Sequence, residues 1–133
     1  MENNNDHKVV CFGEVLWDIL PTGSVPGGAP MNVAYHLHKQ QKNPAVITSI
    51  GIDEKGEELI KIFSEYGVCT DFFQVDDTYE TGKVYAKTNG QNDVAYDIVM
   101  PVAWDFIKWD DDFTDLLANA GYFVFGSLAA RNG

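Results

Sequence analysis

Positive charge is what this chain has least of. Nine lysine and arginine residues stand against twenty aspartate and glutamate residues in 133, a formal net charge of −11. Nucleic acid and anionic membrane surfaces both demand a basic footprint, so neither is expected as a partner. The acidic surplus itself reads as a solvated surface. Cysteine is nearly as scarce. Cys11 and Cys69 form no C-x-x-C pair, which argues against a zinc or redox motif and for free, buried thiols in a reducing cytoplasm. No apolar run approaches the length of a membrane span. Met1 to Lys8 is polar and Asn-rich, a disordered tail and not a signal peptide. The phosphate-binding patterns G-x-x-x-x-G-K-[ST] and G-x-G-x-x-G are both missing. His36 and His38, two apart on a helical stretch, point in different directions, so they are expected as solvated histidines, not metal ligands.

What is present is a globular composition, 45% hydrophobic and 22% charged, long enough for one domain with a core. It is organised around Pro26-Gly-Gly-Ala-Pro-Met-Asn-Val-Ala34. Two adjacent glycines let a backbone turn tightly and approach a ligand closely. Pro30 suits the first turn of a helix, and Val33, Ala34 and Leu37 supply its apolar stripe. A helix N-terminus carries unpaired N–H groups and partial positive charge, so Asn32 lies beside a surface suited to an oxygen-rich ligand. Taken alone, a Gly-Gly before a helix is also simply a tight turn.

Val9–Phe12 reads as a strand buried on both faces. Val15–Leu20 follows with one acid, Asp18, which fits equally the wet face of an edge strand or a ligand contact. Pro44 opens a second buried strand through Ile50. Asp53 is a good N-cap for a helix with Leu59, Ile62, Phe63 and Tyr66 on one face, and Gly67 ends it. Strand and helix in alternation indicate an α/β domain with a mainly parallel sheet. From Phe72 to Val99 the texture changes to short alternating strands, Phe72–Val75, Lys83–Thr88 and Val94–Val99, expected as an antiparallel insert. Asn89-Gly90 signals a two-residue hairpin, in which Tyr85 and Tyr96 share a face. Trp104 and Trp109 are expected as packing anchors near the base of that insert. Asp110–Ala120 reads as a helix with Phe113, Leu116 and Leu117 inward, and Tyr122–Phe125 as a final strand before Gly126-Ser127.

These pieces, in this order, resemble the N-terminal portion of the ribokinase (PfkB) family of sugar kinases. Gly13-Glu14 with Asp18 resembles the family's opening strand and sugar-binding aspartate. Gly27-Gly28-Ala29-Pro30-Met31-Asn32-Val33-Ala34 matches G-G-x-x-x-N-x-A, and Gly51-x-Asp53-x-x-Gly56 matches the G-x-D-x-x-G that follows. Thr81-Gly82 and the hairpin resemble the lid, and Gly126-Ser127-Leu128-Ala129-Ala130-Arg131 is similar to the G-S-L-x-x-R of the fructokinase branch.

The resemblance implies a three-layer αβα, ribokinase-like fold over residues 9–133, with a small antiparallel β lid from strands at about 15–20 and 72–99. It implies a fructokinase-like enzyme that moves the γ-phosphoryl group of Mg-ATP to a sugar hydroxymethyl, cytoplasmic and homodimeric through its lid. The substrate-binding residues it implies are Asp18, Gly27, Gly28, Asn32, Tyr85, Tyr96 and Arg131. The family's catalytic aspartate lies in a Gly-Ala-Gly-Asp motif with no counterpart here, so the C-terminal half of such a domain is expected outside these 133 residues. ATP and Mg2+ are then expected to bind the complete enzyme and not this portion, which by itself is expected to be inactive. A non-catalytic sugar-binding or interaction module on the same fold is the alternative.

Overall fold

The computed structural model describes residues 7–88, 90, 91 and 93–131. Two four-stranded sheets are built from interleaved segments. The main sheet is parallel, in the order β5-β4-β1-β8, from β1 (Val9–Phe12), β4 (Ala45–Gly51), β5 (Phe73–Asp76) and β8 (Tyr122–Phe125). The second sheet has the order β3-β2-β6-β7, from β2 (Leu16–Leu20), β3 (Gly23–Gly27), β6 (Gly82–Thr88) and β7 (Val94–Ile98).

The inner strands β1 and β4 are apolar on both faces because both are covered, whereas the edge strand β8 leaves Tyr122, Phe123 and Phe125 exposed. Cys11, Val46 and Ile50 pack with Met31 and Ala34 of α1 (Ala29–Lys39) and with Leu59 and Phe63 of α2 (Glu54–Glu65). Val10, Ala45 and Ile47 point the other way, onto Phe113 and Leu116 of α3 (Phe113–Ala118). Helix, sheet and helix make the expected three layers. Burial pushes the Cys11 thiol up to about 11, so it stays neutral and inert in this core. Helix α2 ends as its sequence indicates. Gly67 takes φ 84°, and the Val68 N–H reaches back to the Phe63 carbonyl at 3.0 Å.

Several expectations need correction. His7 and Lys8, expected in the tail, take part in the fold. His7 is buried, its Nδ1 lies 2.9 Å from the Asn43 carbonyl, and the Lys8 carbonyl accepts from the Gly121 and Tyr122 N–H groups where β8 joins the sheet. Met1–Asp6 lie outside the described residues. The strand expected at Phe72–Val75 belongs to the main sheet, parallel to β4, and not to the lid. Period-2 alternation marks a strand but does not say which sheet takes it. The lid is mixed, not purely antiparallel, since β2 and β6 run parallel with Asp18 opposite Val84. Strand β3, whose Gly-Ser-Val-Pro-Gly reads as a loop, pairs with β2 at the sheet edge, where Pro26 costs no ladder bond.

The hairpin register also differs. Thr88 faces Val94, Ala86 faces Tyr96 and Tyr85 faces Asp97, so Tyr85 and Tyr96 lie on opposite faces. The Asn89 half of the expected turn lies outside the described residues. This pairing sets Val84 against Ile98 and Ala86 against Tyr96, one apolar row, and that match outweighs the turn dipeptide.

Candidate functional site

The chain winds from β1 outward through β4 and β5, then returns to β8 on the other side of β1. The carboxyl ends of β1 and β8 therefore mark the point where the winding reverses, the usual ligand crevice of an open α/β sheet. Gly13-Glu14 and Gly126-Ser127 stand there. Gly13, at φ 143°, has no room for a side chain: a Cβ would lie 2.9 Å from Pro30 Cγ and 3.7 Å from Ala129 Cβ. The first turn of α1 and the short 3-10 turn Leu128–Ala130 thus close on the end of β1.

From Glu14 the chain enters β2 and carries Asp18 out over the crevice. Its neighbour β3 returns to Gly27 and Gly28, the N-cap of α1. Both glycines are required by close approach. A Cβ on Gly27 would strike the Asp18 carboxylate, and one on Gly28, at φ 116°, would strike the Glu14 carbonyl. Asn32 lies in the first turn of α1, its N–H bonded to the Gly28 carbonyl at 2.9 Å and its side chain exposed. Asp18 thus stands at Gly27, and Gly28 and Asn32 follow in the turn that opens α1.

Burial raises the Asp18 pKa above the usual carboxylate value, and no ion pair offsets it among the described residues. A partly desolvated carboxylate beside a helix N-terminus suits hydroxyl donors. It does not suit phosphate, because Asp18 fills the space over Gly27 and the first turn of α1 has no basic side chain. These residues therefore do not fit a nucleotide. Gly28→Ala is expected to lower stability by about 2–3 kcal/mol through backbone strain and the clash with Glu14. Gly126→Ala, with nothing within 4 Å of its Cβ, is the neutral control in the same thermal denaturation. Equal melting temperatures would contradict the close approach.

The remaining expected contacts divide. Tyr96, 65% exposed, lies on the lid face that carries Asp18, by the pairing Asp18–Val84–Ile98 and Ala86–Tyr96. Tyr85 lies on the opposite face with Ile19 and Trp17, and Trp17 donates from Nε1 to the Lys55 carbonyl at 2.9 Å. Arg131 is held elsewhere. Its Nε and Nη2 bond both oxygens of Asp105 at 2.7 Å, Nη2 reaches the Val99 carbonyl at 2.8 Å, and the guanidinium stacks on Trp104 at 4.1 Å. Trp104 is fully buried, the anchor its sequence position indicates, whereas Trp109 is 65% exposed.

Two features escape sequence reading. Glu14 is only 4% exposed, and its Oε2 has no hydrogen-bond partner among the described residues. The acid adjoining Gly13 was the available signal. The other is a cleft of about 520 Å³ at the start of α2, lined by Asp53, Glu54, Asp76, Tyr79, Glu80 and Lys83 among others; it does not include the glycine loop.

Comparison with known proteins gives the family and the fold. Residues 6–132 match the model of the pfkB family carbohydrate kinases. Among curated relatives, a probable fructokinase-5 of Arabidopsis thaliana is 30% identical over 94% of this chain and 43% of its own length. Probable fructokinase-6, chloroplastic, of the same plant is 28% identical over 91% and 35%. Among solved structures, an uncharacterized sugar kinase of Pyrococcus horikoshii in complex with ATP superposes with a TM-score of 0.83 at 26% identity, over 91% of this chain and 43% of that one. The chain thus spans less than half the length of these relatives. By its family match, its fold and the arrangement of its glycine loop, the chain belongs to the pfkB family of carbohydrate kinases.

Proposed function

We propose that this chain is the sugar-binding portion and lid of an ATP-dependent carbohydrate kinase, with fructose as the sugar. The observation that carries the reading is the Asp18 carboxylate standing over Gly27 beside the first turn of α1. A carboxylate accepts from two hydroxyls of a diol, and the Asn32 amide both donates and accepts. Gly27 and Gly28 leave the backbone bare, so a sugar ring lies close against the helix end. Tyr96 on the Asp18 face of the lid covers the ring; Tyr85 and Arg131 act behind it, in packing.

In the complete enzyme ATP supplies the phosphoryl group when bound. The residues of this chain hold the acceptor hydroxymethyl, and phosphoryl transfer depends chiefly on such positioning. Two relatives support fructose by their names, and the Pyrococcus structure supports ATP. The test is calorimetric titration of the chain with fructose and, separately, with MgATP, beside a coupled kinase assay. Fructose is expected to bind, MgATP is not, and turnover is not. Absence of fructose binding sinks the reading. Fructose-dependent turnover would mean that the nucleotide and base sites lie within these residues, and so remove the division proposed.

The lid also supports a homodimer. Leu20, Val25, Val94, Tyr96 and Ile98 are exposed and share the Asp18 face of the sheet. Tyr96→Ala is expected to weaken both fructose binding and self-association, read by calorimetry and sedimentation velocity. A chain that is monomeric at all concentrations, with unchanged fructose affinity in the variant, removes Tyr96 from both roles. No helix among the described residues is long and apolar enough to cross a membrane. The acidic charge and the free cysteines support a cytoplasmic setting without nucleic-acid or membrane partners.

A further inference from the structure

The G-x-D-x-x-G segment and Thr81 are not part of the sugar site, yet they form a densely bonded polar cluster. Asp53 caps α2 by accepting from the Gly56 N–H at 2.8 Å. A cap needs no more than that. The same carboxylate also accepts from the Thr81 hydroxyl at 2.6 Å and the Thr81 N–H at 3.0 Å, 28 residues away. The Thr81 hydroxyl in turn accepts from the Gly51 N–H at 3.0 Å. Thr81 is fully buried. The two glycines of the motif make the room: a Cβ on Gly51 would lie 2.8 Å from Thr81 N, and one on Gly56 2.8 Å from Thr81 Oγ1.

Thr81 is the residue before β6, where the chain passes from the main domain into the lid. On its other side Gly82 packs against Trp104, whose Nε1 lies 2.5 Å from where a Cβ would be. Strand β6 pairs with β2 in the register Leu16–Gly82 and Asp18–Val84. The knot thus lies three residues along the strand from the partner of Asp18. It ties the end of β4 and the start of α2, both in the main domain, to the strand that sets the position of β2.

We propose that Asp53 and Thr81 are positioning residues for the sugar site, pinning the root of lid strand β6 and thereby holding Asp18 over Gly27. The pinning stands on the structure alone; its effect on sugar rests on the function proposed above.

The experiment compares the unsubstituted chain with Thr81→Val and Thr81→Ser by backbone hydrogen exchange and by fructose titration. Valine keeps the shape and loses the hydroxyl; serine keeps the hydroxyl and loses a methyl. Thr81→Val is expected to speed exchange in residues 16–20 and 82–88 about tenfold, leave 9–12 and 45–50 unchanged, and weaken fructose binding about tenfold. Thr81→Ser is expected to match the unsubstituted chain in both. Native lid exchange in Thr81→Val, or an equal rise across every strand, overturns the pin; so do valine and serine variants that behave alike. If the unsubstituted chain binds no fructose, the sugar step falls with the proposed function, and exchange still decides the pin. Should Thr81→Val not fold, the unsubstituted chain decides it: the Gly51, Gly56 and Thr81 amides are expected to exchange as one unit, and unequal protection overturns the knot.

Discussion

Asp18→Asn is expected to weaken fructose binding about ten- to a hundredfold and to leave the fold intact. A hydrogen bond to a charged group contributes roughly 1.5–3 kcal/mol, and the amide replaces one charged acceptor oxygen with a donor. The stability side has a definite sign. Burial raises the Asp18 pKa in the folded state, so its contribution is most favourable below the ordinary carboxylate pKa and is lost as pH rises through the folded value. Asparagine removes that dependence. The variant should therefore gain stability relative to the parent between acid pH and neutrality while losing sugar affinity. Calorimetric titration and thermal melts at several pH values separate the two. A variant that keeps its affinity removes Asp18 from the site. One that loses affinity and stability together makes Asp18 a structural residue.

Arg131→Ala is expected to lower stability by about 3–5 kcal/mol, a large part of the total for a domain of this size. The Asp105 side chain is fully buried, and Arg131 meets both its oxygens while bonding the Val99 carbonyl and stacking on Trp104. Truncation removes the guanidinium from both oxygens of a buried carboxylate that also accepts from the Val102 N–H. Arg131→Lys is expected to recover part of the loss, since a lysine ammonium reaches one oxygen but cannot form the planar fork. Denaturant unfolding of the three chains measures this. If Arg131→Ala is as stable as the parent and instead loses fructose affinity, the guanidinium belongs to the sugar site after all.

What could be read from the sequence followed how local each cause is. The Asp53 cap, the Gly67 stop and the apolar runs of β1 and β4 are set within a few residues, and all appear as read. Asp18, Gly27, Gly28 and Asn32 could be grouped only through the family pattern, because strand β3, which brings Asp18 to Gly27, looks like a loop. The register of β6 and β7 escaped for a different reason. The choice depends on which apolar side chains of two strands can share a face, and Val84 with Ile98 decided it. The role of Arg131 depends on Asp105, in a short 3-10 turn (Ala103–Phe106) too brief to show a period. The tie between Asp53 and Thr81 was equally hidden, since nothing in either motif names the other.

The most direct test of the sugar site is a fructose titration followed by backbone amide resonances of the isotopically labelled chain, run in parallel on Asp18→Asn. Saturable shifts are expected at Asp18, Gly27, Gly28 and Asn32, with little change at β5 and α3 and loss of the response in the variant. Shifts centred on the acidic cleft of Asp53, Asp76 and Glu80, or a response that Asp18→Asn leaves intact, would contradict it.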